Sequence, residues 1–225
     1  MSLPNDRANS EILAVYSEQL APWCKKYASV LALEVGSSRT LDKECLNHAS
    51  NLRSTQETWE RETQEDKLAV TERNTLLGSV QTLIPSLRAF VQYHLTDHPE
   101  PARVLSDFAF SSPSELRTEK AALEALSDVL RALNTHKGAL KSGAARISTW
   151  ETRIQNYSSR LRTISQERIR EQSETNDARD KREQARSAAL KFLRQLQLLS
   201  LALQMENPTL LKDWDQTLAL IEKSL

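Results

Sequence analysis

The apolar residues of this chain recur at alternating steps of three and four. That spacing lays one stripe of side chains along a helix and marks the seam of a coiled coil. Ile147, Trp150, Ile154, Tyr157, Leu161 and Ile164 follow it. Continued without a skip, the register meets Arg168, Glu171, Thr175, Ala178 and Arg182. It then returns to apolar residues at Ala185, Ala189, Phe192, Leu196, Leu199 and Leu203. The seam is apolar, then largely polar, then apolar again.

An earlier stretch carries the same plan. Leu41, Cys45, His48, Leu52, Thr55 and Trp59 come first, Glu62, Asp66, Ala69 and Arg73 follow, and Leu76, Val80, Leu83, Leu87 and Phe90 close it. Shifted so that Leu52 falls on Leu161, the two stretches also align Arg53 with Arg162, Glu62 with Glu171, Ala69 with Ala178 and Arg73 with Arg182. Pro99 then falls on Pro208. Any two amphipathic helices can be slid until their apolar positions agree, but a shared polar gap and a shared proline beyond it are not explained that way. The pattern predicts a tandem duplication, with repeats over residues 1–110 and 111–225. Each repeat would carry a seam that it cannot bury alone, so the two are expected to pack together as an elongated antiparallel helical bundle.

Helix punctuation places the remaining elements. A first helix is expected from about Asn9 to Val35, kinked or restarted at Pro22. Gly36-Ser37-Ser38 is a stop. The first long helix follows, from about Thr40 to Leu95 with Pro85 inside it. Asp97-His98-Pro99-Glu100-Pro101 then breaks the chain, and Ala102 to Phe108 suits one or two turns. Ser112-Pro113-Ser114-Glu115 reads as a capping box that opens a helix running to about His136. Gly138 and Gly143 bracket a turn, the second long helix runs from Ala144 to Gln204, and Asn207-Pro208 starts a terminal helix.

Composition agrees with an all-α chain. Among 225 residues there are 4 glycines and 5% aromatics, too few for the turns and strands of a β or α/β domain. Thirty basic side chains balance thirty acidic ones, and the sequence pI is about 6.9. The signs interleave, as in Arg179-Asp180-Lys181-Arg182-Glu183, without the basic stripe that binding to phosphates needs. No nucleic-acid partner is expected.

The N-terminus, Met-Ser-Leu-Pro-Asn-Asp-Arg, lacks a charged start and an apolar run, so a cytoplasmic chain is expected. Ala188–Met205 is apolar on more than one face but is interrupted by Lys191, Arg194, Gln195 and Gln197. It suits burial between helices, with membrane insertion as a minor alternative.

The search for chemistry is mainly one of exclusion. There is no Glu-x-x-His pair for a di-iron bundle, no His-Glu-x-x-His, no glycine-rich phosphate loop and no Gly-x-Ser-x-Gly elbow. Cys24 and Cys45 are too few for a disulfide framework: two reduced, half-buried thiols are expected, with a single bridge between them as the alternative, and Cys45 sits on the seam as a small hydrophobe. His94, Asp97 and His98 cluster at a helix end, where dipole capping accounts for them.

The candidate site is the polar layer of Glu62, Asp66, Arg73, Glu171 and Arg182. It could be a hydrated separation of the helices, a pair of hairpin tips near Thr63–Lys67 and Ser173–Asp177, or an internal layer that takes a small ligand or metal. No cofactor is implied and no catalytic residue is identified. A non-enzymatic protein-interaction bundle is the expected function, its partner another protein or a second copy.

Overall fold

A computed structural model describes residues 3–5, 7–36, 39–140 and 144–225, excepting the side chains of Ala144 and Ala145. Ser37, Ser38 and Gly143, assigned above to breaks, lie outside the described residues. The described chain is all-α, 82% helical, with seven helices and no strand. They are α1 (Ser10–Lys26), α2 (Ala28–Val35), α3 (Leu41–His94), α4 (Pro101–Asp107), α5 (Glu119–Thr135), α6 (Ala144–Ala202) and α7 (Pro208–Ser224).

The long helices α3 and α6 pack against each other and run antiparallel. His48 meets Phe192, and further along α3 Trp59 meets Arg182. In the same sense Glu72 meets Arg160 and Phe90 meets Trp150. Both long helices are unbroken through the polar gap, so the hairpin-tip reading of Thr63–Lys67 and Ser173–Asp177 does not hold. Thr175-Asn176-Asp177 are weak helix formers in a row, but neither stretch holds a proline or glycine, so no backbone donor is lost and the helix runs on.

The chain divides into two compact units. The first joins Met1–Thr63 to Glu174–Leu225, and the second is Gln64–Ser173. Each has its own apolar core.

In the first unit α1 and α7 cover the α3–α6 seam, with Leu13, Leu20, Trp23, Phe192, Leu196 and Trp214 at the centre. The end of α1 is fastened to α7 at several points. Trp23 stacks edge-on against Trp214 at 4.8 Å and donates its ring N–H to the Leu210 carbonyl at 3.3 Å. Lys26 pairs with Asp213, which also accepts the Tyr27 hydroxyl at 2.7 Å. The helix break falls at Tyr27 rather than at Pro22, which stays inside α1. A proline leaves only one carbonyl unpaired, and docking on α7 holds the turn together around it.

In the second unit α4 and α5 cover the seam, with Leu87, Val91, Phe108, Leu126, Val129 and Leu133 buried. The Ser112 backbone N–H does donate to the Glu115 carboxylate at 2.7 Å, as the capping box requires. Residues 113–117 nevertheless form turns, and α5 starts at Glu119 behind Thr118, whose hydroxyl accepts the Ala121 N–H at 3.2 Å. The turns let Leu116 drop fully into the core. Ala109 ends α4 at a φ of 41°, the left-handed closure common after helices, and Phe108 and Phe110 stack across it at 5.2 Å.

Leu20 is fully buried at the centre of the first core. Leu20→Ala is expected to lower stability by about 3 kcal/mol through lost transfer energy and a residual cavity. Chemical denaturation of the two proteins, followed by circular dichroism, measures it.

Candidate functional site

Polar residues enter the α3–α6 seam in both units, and each unit carries a network of its own. In the first unit the network is built along α6. The Arg182 guanidinium lies 4.0 Å from the centre of the Trp59 ring and pairs with Glu183 at 2.6 Å. Glu183 also takes Arg186 at 2.5 Å, and Arg186 reaches across to the Ala8 carbonyl at 2.8 Å, just before α1 begins. The two arginines, Arg182 foremost, hold the Glu183 carboxyl below its ordinary value of 4.5. Glu62 is buried and pairs with the adjacent Arg61 at 2.8 Å. Its backbone carbonyl accepts the Thr175 hydroxyl from α6 at 3.2 Å, and its carboxylate lies within 4.8 Å of Glu174.

In the second unit the network converges on one acid, Glu119, the first residue of α5. Arg73 from α3 and Arg168 from α6 both donate to it, Arg168 at 2.6 Å, and Ser165 donates its hydroxyl to the other oxygen. One carboxylate therefore ties the start of α5 to both long helices, with two guanidinium charges against its one. Charged pairs removed from water hold together only when hydrogen bonds satisfy most of their atoms, and this one nearly achieves it. Glu171 is buried nearby in sequence, paired through one oxygen with Arg170 at 2.8 Å. Its other oxygen has no hydrogen-bond partner among the described residues.

The five residues singled out from the heptad pattern thus fall into different surroundings. Arg182 and Glu62 belong to the first unit, Arg73 and Glu171 to the second, and Asp66, also in the second, is half-buried. Arg73 meets Glu119 and Arg182 meets Glu183, rather than the glutamates of the other repeat with which pairing across the pseudo-twofold would join them. Glu119, Glu183 and Arg186 were missed. Glu119 opens a short helix and carries no heptad signal, while Glu183 and Arg186 lie just off the seam.

The other candidates have local partners. The Cys45 sulfur faces that of Cys24 at 3.7 Å, while the His48 ring faces Phe192 at 4.7 Å. His94 packs on Phe90 and Tyr93, and His98 accepts the Glu100 N–H at 3.1 Å. In Ala188–Met205, Phe192, Leu193, Leu196 and Leu203 are buried, whereas Leu198, Leu201 and Met205 are exposed. No helix among the described residues is long and apolar enough to cross a membrane.

Comparison with protein-family models, with curated proteins and with solved structures finds no match in any of the three.

The Glu119 network is tested by removing its acid. Replacing Glu119 with Ala leaves Arg73 and Arg168 facing each other without their shared acid, and is expected to cost about 2 kcal/mol, somewhat below a fully buried pair because both retain some solvent. Glu119→Gln should recover part of the loss by keeping acceptors for Ser165 and Arg168. Urea titration of both variants reads the difference.

Stability also depends on pH, through His48 beside Phe192. Burial holds the His48 imidazole below its ordinary 6.5, so protonation is disfavoured in the folded chain. The unfolded chain takes that proton first, and stability falls as pH drops below about 6.5 toward the lower folded value. Glu183, depressed by its arginines, adds a separate loss only below its ordinary 4.5. Melting temperature against pH should show both steps, and His48→Phe should remove the upper one alone.

Proposed function

We propose that this chain is a non-catalytic protein-interaction module of the cytoplasm that presents one face of α6 to another helix. The observation that carries this reading lies in the first unit. Leu190, Lys191, Arg194 and Leu198 line one open groove along α6. Leu198 is 66% exposed, and the apolar surface continues through Leu201 to Met205, which is 92% exposed. Clustered apolar side chains that remain in water beside a polar rim favour a partner surface, and a helical stripe of them suits another helix.

The occupant that the sequence favours is a second copy. Equal numbers of acidic and basic residues leave no net charge to keep copies apart near neutral pH. A pair related by a twofold axis would bury the same stripe on both copies.

The helix boundaries also support the duplication as the origin of the architecture. α1 and α5 are both 17 residues long, each opens behind a side-chain cap, and Ser10 and Glu119 start them at positions equivalent in the alignment of Leu52 with Leu161. With repeats over residues 1–110 and 111–225, each compact unit draws on both, so neither repeat closes a core from its own residues.

Light scattering across a range of concentrations tests the self-association. Dimer is expected to accumulate with concentration, and Leu198→Glu should weaken it at least about tenfold, since each leucine withdrawn from the interface forfeits about 1.5–3 kcal/mol. A strictly monomeric chain, or a dimer indifferent to Leu198→Glu, overturns this interface.

A further inference from the structure

Cys24 and Cys45 are far apart in the chain's helix plan but adjacent in the first core. Cys24 lies in the last turn of α1 and Cys45 one turn into α3. Their sulfurs are 3.7 Å apart, with residue exposures of 1% and 0%. No residue intervenes between them, and the sulfur–sulfur distance must close only to about 2.05 Å for a covalent bond.

We infer that Cys24 and Cys45 form a reversible disulfide that clamps the end of α1 to the start of α3 around α2. The oxidant class is a small-molecule disulfide. One protein thiolate attacks it, forming a mixed disulfide and releasing one small thiolate. The second protein thiolate then attacks the protein sulfur of that mixed disulfide, the protein bond forms, and a second small thiolate leaves. Two protein thiols are oxidised, one small disulfide is reduced to two thiols, and the released thiolates take up the two protons.

The surroundings set the conditions for this exchange. The partner sulfur and burial both push the Cys45 thiol well above the ordinary range, which keeps it protonated in the closed core. Reaction therefore passes through local opening, which must release the end of α1 from its contacts with α7 at Trp23, Lys26 and Tyr27. Pro22 supplies no N–H to the carbonyl one turn behind it, and α1 ends at Tyr27, so Cys24 sits between two interruptions of the helical ladder. A last turn that loosens exposes Cys24 first. Once that turn closes again, the mixed disulfide is returned to Cys45, and the resolving step is intramolecular.

The cross-link closes a short loop containing α2, which removes conformations from the unfolded chain rather than adding contacts to the folded one. The bonded form is expected to melt about 5–10 °C above the reduced form.

The test incubates the full folded chain at neutral pH with a mixture of reduced and oxidised glutathione, alkylates the remaining thiols and records intact mass. The expected product has lost two hydrogens, carries no alkyl group and no glutathione, melts higher, and reverts with dithiothreitol. Cys45→Ser should instead accumulate a single glutathione adduct on Cys24, with folding verified by circular dichroism. Retention of both thiols overturns the inference, as does uptake of two glutathiones, cross-linking between chains, or a bonded form that melts lower than the reduced one.

Discussion

A helix pair can satisfy only the stripe along which the two helices touch, and this governs the rest of the fold. α3 and α6 are 54 and 59 residues long, and their shared seam buries one or two side chains per turn. Side chains flanking the seam stay in water unless another element covers them. The short helices provide that cover: α1 and α7 in one unit, α4 and α5 in the other. Their amphipathic faces fit this duty, with Leu13, Leu20, Leu210, Trp214 and Leu218 turned inward in the first unit and Leu126, Val129 and Leu133 in the second.

The polar networks answer a second constraint, that a short helix laid on a long pair must be held at a defined height. Apolar contact is tolerant of sliding, whereas an ion pair is not. Glu119 fixes the first turn of α5 by reaching two helices at once. At the other short helix the same task falls to a backbone group, since Arg186 grips the Ala8 carbonyl just ahead of α1. The two solutions differ in cost: a carbonyl needs no counter-charge, while Glu119 leaves a surplus guanidinium that must keep some contact with water.

Most of the helix layout was legible in the sequence because it rests on periodicity and on terminators with local mechanisms. Asn9, Pro101 and Pro208 stand where helices begin, and Gly36, at a φ of 87°, stands where α2 ends. The errors share one cause. Pro22 and Ser112-Pro113 are strong local signals, but Tyr27 and Thr118 won because Trp23, Asp213 and the burial of Leu116 decide those boundaries from elsewhere in the chain. The polar gap was visible for the same reason as the seam. Its partners were not, since the heptad register names which residues face inward without saying which short helix they meet. Glu119 and Arg73 are brought together only by folding, and no spacing announces that.

The division of the chain between the units has a consequence for synthesis. The second unit is one uninterrupted stretch, Gln64–Ser173, whereas the first needs residues 1–63 and residues 174–225 together. A nascent chain therefore carries α1, α2 and the first part of α3 through the whole time that the second unit is being made. Contacts between nearby segments form sooner than those that close long loops, so the interior stretch has the earlier opportunity to fold. Until α7 arrives, the Trp23 face of α1 lacks the Trp214 ring that covers it in the finished unit. Residues 1–63 are thus made before the second unit and completed only after it.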